Sequence, residues 1–183
     1  MVYLSTNAIE SVLKDKTVII PTQENADQLL SGGYGVACEN ESGIVLTSYE
    51  ALYLQCEYRI SVMDHDNGEI LDAHTLLERL RVSDSEAWTK YLIYRDLRSR
   101  GYVVREGVGW GINFRVYERG AYGEHAAKYI IQAIVEGAPV PVEKLEETLR
   151  LARNNKKEVI VAVMDRRGEI VYYSLDQLNL HRG

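Results

Sequence analysis

The spacing of apolar residues changes abruptly at Arg100-Gly101, and this change constrains the fold more than any other feature of the chain. From residue 86 to residue 100, apolar side chains recur at helical intervals. From Tyr102 onward, the apolar pattern has the period of two that is typical of strands. A glycine after the last helical residue is a common helix end, because glycine accepts the left-handed backbone found there. The sequence therefore predicts a long helix that leads directly into a sheet.

The second half of the chain contains five predicted strands and one further helix. The strands cover residues 102–105, 113–117, 129–135, 158–164 and 169–173. Pro139-Val140-Pro141 interrupts them, and residues 142–153 follow as a helix with Leu145, Leu149 and Ala152 on its inward side. The turn Asp165-Arg166-Arg167-Gly168 joins the last two strands as a hairpin.

The first half predicts a smaller domain of mixed helices and strands. Thr22 is the predicted start of a helix that Gly32-Gly33 ends, and Ser48 and Asp72 are predicted to cap two more. Residues 34–37 and 43–47 are predicted strands on either side of a turn. The polar segment 81–85 divides the chain into an N-terminal accessory domain, 1–82, and a C-terminal domain, 83–183. The predicted fold class is α+β, with a C-terminal mixed sheet flanked by helices.

Charge is unevenly distributed along the chain. The net charge is −6, but residues 1–83 carry 5 basic and 13 acidic side chains, whereas residues 84–183 carry 16 and 14. Such asymmetry indicates either a local basic surface in the second half or an ordinary mixed, solvated surface. Cys38 and Cys56 lack metal or redox spacing, and the sequence has no long apolar run or signal-like start. We therefore expect a cytoplasmic protein without a membrane segment.

Three side chains of the second half can perform acid–base chemistry without a metal: Tyr117, His125 and Lys157. A phenol, an imidazole and an ammonium group can take a proton, give a proton and stabilise negative charge. Taken singly, each has an ordinary structural interpretation: a packed tyrosine at a strand end, a structural histidine, and a solvated lysine beside Lys156. The four histidines show no ligand spacing, so no metal site is expected. The glycines at 107, 109 and 111 precede a strand rather than a helix, which argues against a dinucleotide site.

Several ordered stretches of the second half resemble one known family. They are residues 91–102, residues 114–121 with Glu124-His125, residues 150–153 leading to residues 156–158, and residues 170–173. Together they resemble the catalytic domain of archaeal tRNA-splicing endonucleases over roughly half of the chain. The N-terminal half shares only length and rough pattern with the accessory domain of that family.

The resemblance implies cleavage of precursor tRNA at bulge-helix-bulge splice sites, without metal or cofactor, giving 2′,3′-cyclic phosphate and 5′-hydroxyl ends. Tyr117 matches the family's general base, His125 its general acid, and Lys157 its stabiliser of the charged phosphorus. Lys157 is preferred to Lys156 because the family's lysine lies seven residues after the arginine matched by Arg150. The alternative is a non-catalytic structural or RNA-binding subunit of the same assembly.

The resemblance also suggests how substrate and partners are held. Arg150 matches a position that grips a bulge base, with an exposed helix arginine as the lesser alternative. Trp110 is a candidate for stacking on RNA, although core packing is the favoured interpretation. Many relatives carry an acidic loop where this chain has residues 165–169, and Arg166 and Arg167 depart from that pattern. The expected assembly is a hetero-oligomer of two catalytic and two structural chains, or alternatively a homotetramer. Asn113 replaces a residue that is commonly acidic in the family.

Overall fold

The computed structural model describes residues 8–38, 42–109 and 111–176. The chain forms two compact units, one up to Arg95 and one from Asp96 onward. Each unit is built on its own five-stranded mixed sheet, so the predicted α+β class is confirmed. The predicted domain division at residues 82 and 83 stays a prediction.

The first unit combines five strands with helices. Its elements are β1 (Ile9–Lys14), β2 (Thr17–Ile20), α1 (Gln23–Ser31), β3 (Val36–Ala37), β4 (Ile44–Leu46), α2 (Ser48–Cys56), β5 (Ile60–Asp64), α3 (Ala73–Arg81) and the first part of α4 (Ala87–Ser99). The strand order is β3-β4-β2-β1-β5, and β1 pairs with β5 in parallel while the other neighbours are antiparallel. Fully buried Val18, Ile20 and Ile44 of the sheet and Leu29, Leu52 and Leu76 of the helices contribute to its core.

Three strands of this sheet, β1, β2 and β5, are absent from the sequence prediction. For β1 and β5, the reason is that their inward faces carry polar residues. Ser11 of β1 is buried and donates its hydroxyl to the carbonyl of Ser61 at 3.0 Å, and Asp64 of β5 is buried beside Arg79 at 3.3 Å. Polar side chains at buried positions remove the apolar alternation by which a strand is recognised.

The capping residue of α2 differs from the prediction by one position. The helix begins at Ser48, so the capping residue is Thr47 rather than the predicted Ser48. The Thr47 hydroxyl accepts from the backbone N–H of Glu50, and the Glu50 carboxylate accepts from the backbone N–H of Thr47 at 3.0 Å. This reciprocal capping box satisfies two donors that a helix start otherwise leaves open. Asp72 caps α3 as predicted, accepting from the backbone N–H of Thr75 at 2.7 Å.

The second unit contains the last residues of α4, five strands and one helix. The further elements are β6 (Val103–Glu106), β7 (Phe114–Tyr117), β8 (Tyr129–Val135), α5 (Val142–Asn154), β9 (Glu158–Met164) and β10 (Ile170–Leu175). The strand order is β10-β9-β8-β7-β6, with β8 and β9 parallel and the other pairs antiparallel. A parallel pair requires a crossover connection, which α5 provides.

Glycines allow the loop between β6 and β7 to lie against α5. A Cβ at Gly107 would stand 2.3 Å from the carbonyl oxygen of Ile112. Gly111 has a φ of +83°, and a Cβ there would stand 3.0 Å from the Lys144 side chain and 3.2 Å from the Thr148 hydroxyl. The glycines therefore provide close backbone packing before β7, as their position in the sequence indicates.

Candidate active site

The end of β7 and the beginnings of β8 and β9 lie at one edge of the second sheet. Val116 pairs with Tyr129, and Tyr129 pairs with Glu158. Because β7 runs antiparallel to β8 while β9 runs parallel to it, the residue after Val116 and the residue before Glu158 both lie at this edge. These residues are Tyr117 and Lys157. The topology thus brings together two predicted site residues that are 40 positions apart in the chain.

The same two residues share one face of the sheet. Ile130 and Val159 belong to the core cluster that includes Ala152 of α5, which defines the α5 side. Successive side chains alternate between faces, so Lys157, two positions before Val159, lies on that side. Arg115 pairs with Ile130 and so shares its face, and Tyr117, two positions after Arg115, lies on that face as well.

Tyr117 is half-buried and packs against an aromatic neighbour in the loop that follows it. The ring of Tyr122 meets the ring of Tyr117 edge-on, with centroids 5.0 Å apart and planes at 89°. Edge-to-face contact is a favoured arrangement of two aromatic rings. The contact fixes the Tyr117 ring at the sheet edge and ties the loop of residues 118–128 to the end of β7.

His125 lies in this loop, with an exposed side chain. Its backbone N–H donates to the carbonyl of Ala121 at 2.9 Å, and Gly120 and Gly123 adopt the positive φ angles of +75° and +91° that the turns require. Within the described residues, its imidazole forms no hydrogen bond. The loop continues directly into β8, so His125 lies in the segment that leads to the same sheet edge.

Lys157, and not Lys156, is directed into the site. The chain turns after α5 through Lys156, which has a positive φ of +52° and an exposed side chain. Lys157 is half-buried, and its ammonium group donates to the carbonyl of Ala127 at 2.5 Å. Ala127 lies two residues after His125, so this bond joins the beginning of β9 to the histidine loop. An ammonium group has three donors, and two remain for a substrate.

A further cation, Lys128, lies at this edge, and sequence reasoning missed it. Its ammonium group is 2.7 Å from Glu118 and 3.8 Å from Glu158. The hydrogen bond with Glu118 raises the pKa of Lys128 and lowers the pKa of Glu118. The available signal was that glutamates directly follow both Tyr117 and Lys157. The two carboxylates hold the Lys128 charge beside the Tyr129 ring, 5.2 Å from its centroid.

Arg150 lies on the exposed side of α5, with 69% of its side chain accessible. Its guanidinium is 3.9 Å from Glu147, a loose surface contact, and it lines a groove together with Leu149, Arg153 and Asn154. This position leaves the planar face of the guanidinium available to a ligand. Trp110, the other predicted substrate-binding residue, lies outside the described residues.

The charged side chains of the hairpin turn between β9 and β10 interact with one another and with the backbone of the turn. A carboxylate oxygen of Asp165 accepts from the backbone N–H groups of Arg167 and Glu169 at 2.8 and 2.9 Å. The Arg167 guanidinium contacts Asp165 at 3.5 Å and Glu169 at 3.2 Å. Both carboxylates of the turn are therefore paired within it, and Arg166 is exposed at the tip.

The described ranges 8–38, 42–109 and 111–176 hold neither a cluster of metal ligands nor a helix suited to span a membrane. These residues contain no group of three or more His, Cys, Asp or Glu side chains placed to hold a metal ion. Within the same ranges, no helix has both the length and the apolar character needed to cross a membrane.

Comparison with known proteins gives matches over nearly the whole chain. Residues 87–172 match the family model of the tRNA intron endonuclease catalytic C-terminal domain, and residues 9–77 match that of the N-terminal domain. A tRNA-splicing endonuclease of Methanococcus vannielii is 34% identical over 94% of this chain and 96% of its own length. That of Methanothermobacter thermautotrophicus is 31% identical over 92% and 96%. A longer one from Methanococcoides burtonii is 32% identical over 92% of this chain and 46% of its own.

Proposed function

The chain belongs to the tRNA intron endonuclease family, and from this premise we propose that it is a catalytic subunit that cuts precursor tRNA at intron boundaries. The observation that carries the catalytic role is the placement of Tyr117 and Lys157 on one face of one sheet edge, with Lys157 bonded to the loop of His125. A purely structural subunit has no need to keep these three groups together.

The proposed reaction is a transesterification in which the RNA supplies its own nucleophile. Tyr117 takes the proton from the 2′-hydroxyl beside the cleaved phosphate, and the oxygen attacks phosphorus. The bond to the 5′-oxygen breaks, and His125 donates the proton that this leaving oxygen needs. The products are a 2′,3′-cyclic phosphate and a 5′-hydroxyl. A neutral phenol that accepts this proton passes its own hydroxyl proton on to solvent, so the number of protons on Tyr117 is unchanged by the step.

Lys157 has the electrostatic role in this proposal. Negative charge grows on the non-bridging oxygens as phosphorus becomes five-coordinate, and a positioned cation stabilises this state most. The bond to the Ala127 carbonyl holds the ammonium group at the edge before substrate arrives. Since the charge comes from a side chain, the step requires no metal ion.

The proposed substrate element is the bulge-helix-bulge, in which each unpaired bulge presents one cleavage site. Arg150 is proposed to hold a bulge base against its guanidinium, since arginine planes stack on unpaired bases. Its exposure on α5 leaves that face open. Trp110 remains a second proposed contact to the RNA.

Two cuts in one substrate require two active sites at a fixed separation, so we propose an oligomer. The turn of residues 165–169 pairs its carboxylates with its own Arg167 and does not present a free acidic surface. An assembly of two catalytic and two structural chains therefore fits better than a homotetramer, in which this turn would have to dock as an acidic loop.

The deciding experiment is cleavage of a precursor tRNA by the full chain with any copurifying partner. We expect cutting in excess EDTA, and none when the 2′-hydroxyl at the splice site is replaced by hydrogen. His125→Ala should lower the single-turnover rate by about a hundredfold or more while binding persists. Full activity of His125→Ala would remove the proposed general acid, and binding without any cutting by the wild-type assembly would favour a structural subunit.

A further inference from the structure

The second unit contains a cavity of about 290 Å³ on the side of the sheet opposite α5. Its floor is apolar and consists of Val116, Ile131 and Ile160 together with Leu97 of α4. Side chains alternate between the two faces of a sheet, so Val116, Ile131 and Ile160 lie on the face opposite to that of Ile130 and Val159. The cavity is therefore separate from the face that carries Tyr117, Lys157 and α5.

Three tyrosines form the walls of this cavity: Tyr102, Tyr129 and Tyr172. All three are half-buried, so each ring has one packed part and one accessible part. We call this cavity the tyrosine pocket. Aromatic walls above an apolar floor are typical of sites that receive a flat ring.

Each wall tyrosine has a cation over its ring. The distances from the cationic group to the ring centroid are 5.5 Å for Arg119 over Tyr102, 5.2 Å for Lys128 over Tyr129, and 5.6 Å for Arg100 over Tyr172. All three lie within the range of a cation–π contact. The tyrosine pocket thus combines aromatic walls with a positively charged rim.

One of the rim cations is not balanced by a carboxylate in the described part of the chain. Arg100 is paired with Asp96 at 2.8 Å, and Lys128 is paired with Glu118 at 2.7 Å. Arg119 is exposed, and its contact with the Tyr102 ring is the interaction that the described residues provide for it. Its guanidinium, which lies over the ring of the wall residue Tyr102, is therefore available to an anion beside that wall.

The polar end of the pocket is fixed by hydrogen bonds. The Tyr172 hydroxyl donates to Asp96 at 2.7 Å, and the same carboxylate accepts from Arg100 at 2.8 and 3.2 Å. Burial, with this hydrogen bond to Asp96, raises the pKa of the Tyr172 phenol and keeps it neutral. The wall that Tyr172 forms is therefore rigid and carries no net charge of its own.

The tyrosine pocket lies close to the proposed cleavage site along the strands. Val103 pairs with Tyr117, and Tyr102 directly precedes Val103. Tyr129 pairs with Val116, the neighbour of Tyr117. Tyr102 and Tyr129 are thus each one position diagonal to Tyr117 on a neighbouring strand. Adjacent positions along a strand and between paired strands are only about 3 to 5 Å apart. A nucleotide adjacent to the cleaved phosphate can span that separation around the sheet edge.

We propose that the tyrosine pocket binds one unstacked base of the RNA substrate, next to the cleaved phosphate, with a backbone phosphate on Arg119. The proposal rests on the proposed RNA-cutting function. The charged rim favours a nucleotide over a neutral apolar side chain, because the phosphate supplies the anion that Arg119 lacks. Binding depends on stacking, which every base can provide, so the pocket tolerates different bases.

The test measures binding separately from cutting. The probe is a precursor tRNA with a 2′-deoxy nucleotide at the splice site and 2-aminopurine as the adjacent base, titrated with the full chain and any copurifying partner. We expect 2-aminopurine fluorescence to be quenched by wild-type protein. Tyr102→Leu should lose the quenching and weaken binding about tenfold, and Tyr102→Phe should restore both.

Two further variants make the result specific. Tyr173→Leu is the matched control, because Tyr173 is a tyrosine of the same unit that is 56% exposed and outside the pocket. It should bind like wild type. Arg119→Gln should weaken binding and reduce the slope of log affinity against log salt by about one, as expected for one lost phosphate contact. Circular dichroism melts show whether each variant is folded.

The outcomes separate this proposal from the proposed function. If wild-type protein binds and cuts RNA but folded Tyr102→Leu binds equally well, the tyrosine pocket is not a base site. If Tyr102→Leu changes only the solution mass, the pocket holds a second protein chain and the proposal is wrong. If wild-type protein neither binds nor cuts, the proposed function itself fails.

Discussion

At the scale of single residues, Lys156 and Lys157 have the same chemistry and different environments. The left-handed backbone of Lys156 turns the chain out of α5, and this turn sends the next side chain to the Ala127 carbonyl. Nothing in the composition of the pair distinguishes the two lysines, so the choice between them rested on a family resemblance. The structure adds a physical difference, since Lys156 is exposed and Lys157 is half-buried.

This difference predicts unequal effects of the same substitution. Lys157→Met should lower the single-turnover rate of RNA cleavage by about a hundredfold, because the ammonium group proposed to stabilise the charged phosphorus is lost. The rate of Lys156→Met should stay within about threefold of the wild-type rate, because an exposed lysine in a turn contributes only to the diffuse positive potential of the surface. Equal losses in the two variants would show that the cluster acts as a diffuse positive surface.

Asp84 provides a second residue-scale prediction, on stability. Burial opposes its ionisation, but hydrogen bonds from Lys90 at 2.8 Å and Ser48 at 2.6 Å lower the pKa of Asp84 below 3.8. A carboxylate with a lowered folded-state pKa stabilises the fold above its unfolded pKa, and this stabilisation is lost as the pH falls through the folded value. Asp84→Asn should therefore reduce the free energy of unfolding by on the order of 1 kcal/mol at pH 7.

The pH dependence identifies the cause of that loss. The difference between Asp84→Asn and wild type should shrink as the pH falls below about 4, where the carboxylate is first protonated in the unfolded chain and, at lower pH, in the folded protein. Urea unfolding at several pH values measures it. A difference that is constant from pH 7 to pH 3 would mean that amide packing, and not the charge, is responsible.

At the scale of elements, apolar runs and turn residues predicted the second sheet well. The sequence prediction placed β8 and β9 at the bounds that the structure has, since both are largely apolar strands in the interior of a sheet. It missed β2, and it missed β1 and β5, whose inward faces carry Ser11 and Asp64. The position of Lys128 between Glu118 and Glu158 could not be predicted either, because it depends on which strand ends lie at one edge of the sheet. Pairing between distant strands is a tertiary property that local spacing does not contain.

The loop before β7 gives an element-scale prediction with a built-in control. Gly111 and Gly120 both have a positive φ, +83° and +75°, but a Cβ at Gly111 meets Lys144 and Thr148 whereas a Cβ at Gly120 meets nothing within 4 Å. Gly120→Ala should cost about 1 kcal/mol from backbone strain alone. Gly111→Ala should cost more, since it also pushes the loop away from α5. Thermal melts of both variants measure the difference, and similar losses would mean that Lys144 moves aside freely.

At the scale of the whole molecule, the two halves of the chain differ in charge. The acidic excess lies in residues 1–83, and the part that carries the candidate site is close to neutral with local positive charge. A protein of net charge −6 can bind RNA only if its cations are concentrated where the phosphates lie. The clusters of the second unit, with Lys157 at the edge and Arg119 at the tyrosine pocket, satisfy this requirement.

The proposed assembly gives a prediction at this scale. The chain has a mass of 20.8 kDa, so a homotetramer would be about four times heavier. We expect the chain alone to have a smaller mass by light scattering and to cut precursor tRNA poorly, because its hairpin turn pairs its acidic groups internally. Addition of a structural subunit with an acidic loop should raise both mass and activity. A stable, fully active homotetramer of this chain would contradict the two-plus-two arrangement.

The parallel pairing of β8 with β9 has a consequence for how the molecule reaches its working state. Tyr117 and Lys157 reach the same sheet edge only after β9 has paired with β8 across a long connection. Contacts between distant parts of a chain form slowly, because the intervening segment must first lose entropy. The local hairpins β6–β7 and β9–β10 can form before that step. During refolding, the proposed ability to cut RNA should therefore appear later than the strand signal in circular dichroism, so that a newly made chain assembles its candidate catalytic groups last.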